Sequence, residues 1–356
     1  MDSLEALGWN EQRADDWQEV IEIAPYLIQG RVVADFGTSL RVAVPEIITA
    51  ELSGKLAHYS DPQAIPKVGD WVGLHLTDNN AVVETVLSRT GEIARAAAGN
   101  KTVKQVIAAG VDVAFIILAL DNDFSVDRLR RYLYQLSVNS IESVIILNKA
   151  DKTDDLDSYI SQLESFKVPI LVTIANEDKG IDQILLHIPA GKTAILLGSS
   201  GVGKSTMTNQ LLGDARQKTA AVRESDDTGK HTTVHRELFM LPNGGLLIDT
   251  PGIRELKLWG TEEDLDENFD DVTTLISQCK YSSCQHGTEE GCAVQAALKN
   301  GSLDPKHYAA YIKLKGELVD LKTRNIAKSK ADSAYAKKRS VAKQGRKLFK
   351  EERDQF

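Results

Sequence analysis

The order of two short segments constrains this 356-residue chain more than anything in its composition. Asn148-Lys-Ala-Asp151 has the form of a turn that recognises guanine, yet it precedes Gly198-Ser-Ser-Gly-Val-Gly-Lys204-Ser205, a phosphate loop that ordinarily comes first. In a doubly wound domain the site is assembled from loops at one edge of the sheet. Moving the chain ends leaves that edge intact if the old ends lay close together. The expected class is therefore α/β, a P-loop nucleotide-binding domain in circularly permuted order.

The phosphate loop has the right surroundings. Thr193 to Leu197 is a short apolar run of buried-strand character, and Lys204 to Leu212 can form a helix that stops near Gly213. Glycines 198, 201 and 203 let the backbone wrap around phosphate, and the helix N-terminus adds its positive dipole end. Gly198, Ser199, Ser200, Gly201, Val202, Gly203, Lys204, Ser205 and Thr206 are thus the candidate phosphate contacts. Lys204 is expected on the β- and γ-phosphates, and Ser205 on Mg²⁺, a hard ion that takes oxygen ligands. The alternative is a chance glycine-rich turn. The second Mg²⁺ carboxylate is assigned to Asp249, which follows the strand-like Leu246 to Ile248 and opens Asp249-Thr-Pro-Gly252. Gly252 lacks a Cβ and can bring its amide near the γ-phosphate. Between these motifs lies Gly229-Lys-His231-Thr232-Thr233, a polar stretch suited to a switch in which Thr232 or Thr233 closes over the metal.

Asn148 to Asp151 closes the strand-like Ser143 to Leu147. A carboxylate at Asp151 can accept from the two N–H groups on the Watson–Crick edge of guanine, a pair that adenine does not offer. Asn148 is expected to orient the base and its loop, and Lys149 to cover the base with its aliphatic stem. Alone, such a tetrapeptide is an ordinary strand-end turn. Ala175, after the strand Pro169 to Thr173, is the candidate backbone contact to the guanine oxygen. Ile174 stands there in place of a usual turn-bracing serine.

All three cysteines fall in one stretch, Cys279, Cys284 and Cys292, with His286 among them. Three thiolates and an imidazole make a closed tetrahedral Zn²⁺ set, which leaves no position open for catalysis. Three cysteines also cannot all pair as disulfides. A loose group of free thiols is the alternative.

Taken together, these segments resemble the circularly permuted ribosome-associated GTPases of the RsgA/YjeQ type, almost end to end. The resemblance rests on Asn148 to Asp151 preceding Gly198 to Ser205, on Gly229 to Thr233, on Asp249-Thr-Pro-Gly-Ile-Arg-Glu255, and on the spacing of Cys279, Cys284, His286 and Cys292. It implies hydrolysis of GTP on the small ribosomal subunit, late in maturation of that subunit. Ile253 occupies the place where many GTPases carry a glutamine that orients the attacking water, a task an isoleucine cannot perform. The resemblance implicates His231 in hydrolysis, beside Lys204. Other classes carried forward are an RNA-binding scaffold that holds nucleotide with little turnover, and a P-loop ATPase or kinase.

Upstream, Leu27–Val33, Leu40–Val44, Ala50–Leu56, Asp70–Leu76 and Ala81–Leu87 read as five short strands of a small β unit. The resemblance identifies it as an OB-fold barrel, including the Val68-Gly-Asp-Trp-Val72 segment. Trp71 reads as core. The expected division is an N-terminal extension and barrel over 1–95, the permuted GTPase domain over 96–260, and a helical zinc-binding domain with a basic tail over 261–356. Net charge is -9, which argues against indiscriminate nucleic-acid binding. The charge is uneven: Glu262 to Glu267 is acidic, whereas Lys322 to Lys347 is crowded with lysine and arginine. That tail is either a solvated helix or, as a ribosomal partner implies, an rRNA contact. Gly110 stands where the family usually has asparagine. No targeting segment is evident, and Val113 to Leu120, the longest apolar run, is too short to span a bilayer. A cytoplasmic monomer with no membrane partner is expected.

Overall fold

The computed structural model describes residues 3–37, 39–44, 46–59, 62–78, 80–96, 104–121, 123–213, 236–250, 261–324 and 326–327. Expectations placed on His231, Thr232, Thr233, Gly252, Ile253 and most of the basic tail fall outside these residues. The chain forms two compact units, Met1–Arg95 with Lys104–Lys257, and Ala96–Val103 with Leu258–Phe356.

The first unit is organised by one sheet of eleven strands, while β6 (Ile93–Ala96) and β7 (Lys104–Ala108) pair in a separate two-stranded sheet. Its parallel half contains β8 (Val113–Ala119), β9 (Glu142–Asn148), β10 (Ile170–Thr173), β11 (Thr193–Leu197) and β13 (Leu246–Asp249), in the order β10-β9-β8-β11-β13. Every pairing among these five is parallel. Alternate residues face opposite ways, as a pleated strand requires. Ala114, Ile116 and Leu118 join a core with Leu129, Tyr132 and Leu136 of helix Val126–Val138. Phe115, Ile117 and Ala119 join one with Ile181, Ile184, Met207 and Leu211. Both faces are therefore covered, and the near-continuous apolar runs follow from that burial.

The barrel half contains β1 (Ile28–Asp35), β2 (Leu40–Ala43), β3 (Ile47–Leu52), β4 (Trp71–Leu76) and β5 (Ala81–Val86). Pairing runs β1-β2-β3-β5-β4 and closes through β4 onto β1, with β3–β5 the one parallel contact of the ring. This is an OB-like five-stranded barrel filled by Val32, Val42, Val72, Leu74 and Val83. The third strand begins three residues earlier than the apolar pattern suggests. Gly54–Tyr59 is a helix, with the Ser53 hydroxyl accepting from Leu56 N at 3.3 Å. A capping serine ends at Leu52 the strand that the sequence reading carries on to Leu56.

A strand not foreseen, β12 (Arg236–Met240), joins the two halves. It pairs antiparallel with β13 on one side and with β1, at Ala34 and Asp35, on the other. The N-terminal extension is helical over Glu11–Ile23, and its role is packing. Trp9 meets Trp71 edge to face at 4.8 Å and Trp17 at 6.4 Å, so Trp71 is a core residue. Beneath them Arg31 is fully buried, and its guanidinium donates to the carbonyls of Leu7, Gly69 and Gly110 and to the Thr193 hydroxyl. Burial lowers its pKa to about 10, so it stays charged at neutral pH. Gly110 has φ of +63°, and a Cβ there would lie 2.8 Å from Arg31 Nη2. The missing side chain at Gly110 is thus the space that the arginine occupies.

In the second unit, helices Glu262–Asn268, Asp270–Ser277, Ala293–Asn300 and 305–324 enclose Leu265, Phe269, Val272, Val294, Tyr311 and Leu314. The acidic run has a local cause. Thr261 and Asp264 form a reciprocal capping box, and Glu262 and Glu263 lie in the positive first turn. Among the described residues no helix is long and apolar enough to cross a membrane.

Candidate functional site

The C-terminal ends of β9, β10, β11 and β13 bring the sequence motifs to one edge of the sheet, and the Asn148 side chain ties three of them together. Its Nδ2 donates to Val202 O of the phosphate loop at 2.7 Å. Its Oδ1 accepts from Thr173 Oγ1 at 3.0 Å and from Ala175 N at 3.1 Å. Both ends of this buried amide are thus engaged, the oxygen twice, as burial of an amide demands. Gly203 permits this approach: at φ +106°, a Cβ would sit 2.3 Å from Asn148 Nδ2. The turn at Ile174 needs no serine, because Ile174 and Lys179 exchange backbone bonds at 3.1 and 3.3 Å. The Gln210 side chain also donates to Ala175 O.

Lys204 opens a helix that spans Lys204–Leu212, as the sequence predicts. Its ammonium donates to Gly198 O at 2.7 Å and Ser199 O at 2.6 Å. Burial lowers its pKa, with the negative charge of Asp123 acting in the opposite direction. Ser205 is the second residue of that helix. Asp249 ends β13, which runs parallel beside β11 with Ile195 opposite Ile248, so carboxylate and phosphate loop leave the sheet at neighbouring positions. Ser200 and Gly201, at the tip of the loop, are exposed.

Lys149 adopts φ +61°, and its ammonium meets Asp121 Oδ2 at 2.8 Å. That bond is the main reason the Asp121 carboxyl lies below its ordinary pKa. Asp151 sits in the short 3-10 turn Ala150–Lys152, beside Lys152 at 3.1 Å. Asp121, Asp123, Arg128 and Thr173 were not among the sequence candidates. The position of the two aspartates, just past the C-terminal end of the longest apolar strand, is the signal that finds them.

In the second unit, Cys279, Cys284, His286 and Cys292 converge, their ligand atoms all within 4.8 Å of one another. Cys279 Sγ lies 3.9 Å from Cys292 Sγ, and His286 Nδ1 lies 3.5 and 3.7 Å from those two sulfurs. A tetrahedral Zn²⁺ with ordinary bond lengths requires S···S of about 3.8 Å and S···N of about 3.6 Å. The set fits. Backbone amides of His286 and Gln295 donate to Cys284 and Cys292 sulfur, each at 3.4 Å, which favours thiolates. Gln295 Nε2 holds His286 O at 2.6 Å and so fixes the backbone of the ligand histidine, whose φ is +58°.

Comparison with known proteins agrees with this geometry. A sequence model described as RsgA GTPase matches residues 86–259. The small ribosomal subunit biogenesis GTPase RsgA of Syntrophotalea carbinolica is 35% identical over 99% of both chains. The chain belongs to the RsgA GTPase family. The RsgA protein of the same description from Xanthomonas axonopodis pv. citri is 39% identical over 97% of both chains. Among solved structures, YjeQ from Thermotoga maritima is 26% identical with a TM-score of 0.61, covering 82% of this chain and 99% of that one. YloQ, titled a circularly permuted GTPase, shares the fold at 24% identity and a TM-score of 0.58, over 83% of this chain and 96% of its own. The inverted order of Asn148 to Asp151 and Gly198 to Ser205 is therefore the permuted GTPase arrangement of the RsgA family.

Proposed function

We propose that this chain hydrolyses GTP and acts in biogenesis of the small ribosomal subunit, binding that subunit and its rRNA late in maturation and leaving with the change of nucleotide. The observation that carries the reading is the Asn148 side chain, which joins the base-recognition turn, the phosphate loop and the Ala175 loop. One molecule carrying both a guanine and a triphosphate fits such a junction. Relatives at 35% and 39% identity over nearly the whole chain bear the name small ribosomal subunit biogenesis GTPase, which supports the partner.

In this reading Asp151 accepts from guanine, Lys149 covers the base, and Ala175 stands where the guanine oxygen approaches. Phosphate is wrapped by the amides of Gly198 to Thr206, and Lys204 exchanges its two loop carbonyls for β- and γ-phosphate oxygens. Ser205 and Asp249 would hold Mg²⁺ through oxygen, and the ion would supply neutralisation of phosphate charge. Thr232 or Thr233 would complete the metal shell, Gly252 would meet the γ-phosphate, and His231 would act on the attacking water in place of the glutamine that Ile253 lacks. Cys279, Cys284, His286 and Cys292 hold one structural Zn²⁺. Lys322 and Arg324, at the start of the basic tail, face rRNA phosphates, and the setting is the cytoplasm with the protein a monomer.

The test is GTP turnover with purified small subunits, with large subunits and with neither. Stimulation by small subunits alone is expected. Equal turnover in all three, or equal competition by ATP, rejects the proposal.

A further inference from the structure

The phosphate loop is pinned at two points, and only one of them belongs to the motifs already described. At its C-terminal side Val202 O is held by Asn148. At its N-terminal side the Ser199 hydroxyl donates to Asp123 Oδ2 and accepts from Arg128 Nη1 at 2.9 Å. Arg128 Nη1 in turn lies 2.8 Å from Asp123 Oδ2 and 3.3 Å from Asp123 O. Asp123 N donates to Asp121 Oδ1 at 2.9 Å, and Asp121 holds the Lys149 ammonium. A chain of hydrogen bonds, one of them from the Asp123 backbone amide, thus runs from Lys149 to the mouth of the phosphate loop.

The loop needs such support for a physical reason. Gly198, Gly201 and Gly203 all have positive φ, at +148°, +83° and +106°, and glycine loses more conformational freedom on ordering than any other residue. Among the described residues nothing lies within 4 Å of the place a Cβ of Gly201 would take, so none of them packs against the loop at that point. A loop fixed before ligand arrives loses less freedom on binding, and the saving appears as affinity. Ser199 is also one of the two residues whose carbonyls receive Lys204, so its position sets the starting point of the phosphate-binding ammonium.

We propose that Arg128 is a positioning residue for nucleotide binding, which with Asp123 holds Ser199 and thereby presets the phosphate loop relative to Lys149. The inference rests on the reading of the site as a GTP site. The Arg128 guanidinium meets Asp123 and the Ser199 hydroxyl, so the role assigned to it is exerted through the loop.

The experiment measures binding of fluorescent GTP and GDP analogues, steady-state turnover and melting temperature for the full chain and for Arg128→Ala, Arg128→Lys, Ser199→Ala and the Arg128→Ala/Ser199→Ala pair. Arg128→Ala is expected to weaken both nucleotides about tenfold, carried by KM with kcat little changed, and Ser199→Ala to do so with melting preserved. The double variant should be no weaker than Arg128→Ala, because the two act as one unit. Arg128→Lys should recover part of the loss, since an ammonium can still meet the Asp123 carboxylate. Ser199→Ala removes only a hydroxyl and decides the matter should Arg128→Ala fail to fold. Wild-type affinity in Ser199→Ala, or independent losses in the pair, overturns the proposal. Failure of the unaltered chain to bind GTP overturns the underlying site assignment instead.

Discussion

Lys204 shows how burial at a single side chain becomes a property of the whole site. Its ammonium is stabilised by two carbonyls but desolvated, so its pKa lies below that of an ordinary lysine. Phosphate binding requires the charged form. Affinity for GTP should therefore hold at neutral pH and fall as pH rises through this lowered value, earlier than for a solvated lysine. A titration of analogue binding from about pH 7 to about pH 10 checks this, and Lys204→Arg, which stays charged throughout, should make the alkaline decline shallower, the remainder coming from loss of the guanine N1 proton that Asp151 reads. Gly203→Ala tests the Asn148 junction. The added Cβ meets Asn148 Nδ2 and forces an unfavourable φ, so a loss of about 1 to 3 kcal/mol in stability and at least about tenfold in affinity is expected. Urea unfolding and analogue binding, measured on the same preparation, would show both; unchanged binding contradicts the bridging role given to Asn148.

Arg31 and Gly110 act together at the level of elements, since one guanidinium collects carbonyls from the N-terminal extension, the barrel and the approach to β8, and a hydroxyl from β11. Replacing Arg31 with methionine strands these carbonyls in a buried place and should cost about 3 to 5 kcal/mol. Gly110→Asn should be destabilising with Arg31 present and less so beside Arg31→Met, because asparagine tolerates positive φ and the guanidinium contact is then gone, while the contact with Gly69 O at 2.9 Å remains in both. A double-mutant cycle by chemical unfolding reads this coupling; additive effects sink it. None of this was legible in the sequence, where Arg31 is one charged residue in an apolar strand. What was legible was local: strands β8, β9, β11 and β13 and the helix after the phosphate loop follow from uninterrupted apolar runs and glycine punctuation. The start of β3 was misplaced because Ile47 is exposed and carries no burial signal. The strand β12 was missed because Arg236 and Glu237 break its apolar run, and its pairing with β1 spans some two hundred residues of chain. Of the site, Asn148, Lys204 and Asp249 were expected from their motifs at the ends of neighbouring strands, and β9, β11 and β13 end at one sheet edge. The bracket of Asp123 and Arg128 needed tertiary geometry, as no spacing rule links either to Ser199.

The two units carry separate chemical dependences for the molecule as a whole. The helices around Cys279, Cys284, His286 and Cys292 bury a small core, and a tetrahedral ion is worth a large share of the stability of such a fold. Chelation should release one Zn²⁺ and lower the helical signal of residues 261–324, while GTP-analogue binding by the first unit persists; loss of both together contradicts this division. A different consequence follows from the junction of β12 with β1. The nucleotide sheet has a short strand, β10, as one margin, and at the other the barrel covers hydrogen-bonding groups of β12 that would otherwise stand open. Strand margins left bare invite pairing with other chains. The barrel is thus also a guard against self-association, and a shortened polypeptide beginning at residue 104 should be prone to aggregate even with its phosphate loop and guanine turn unchanged.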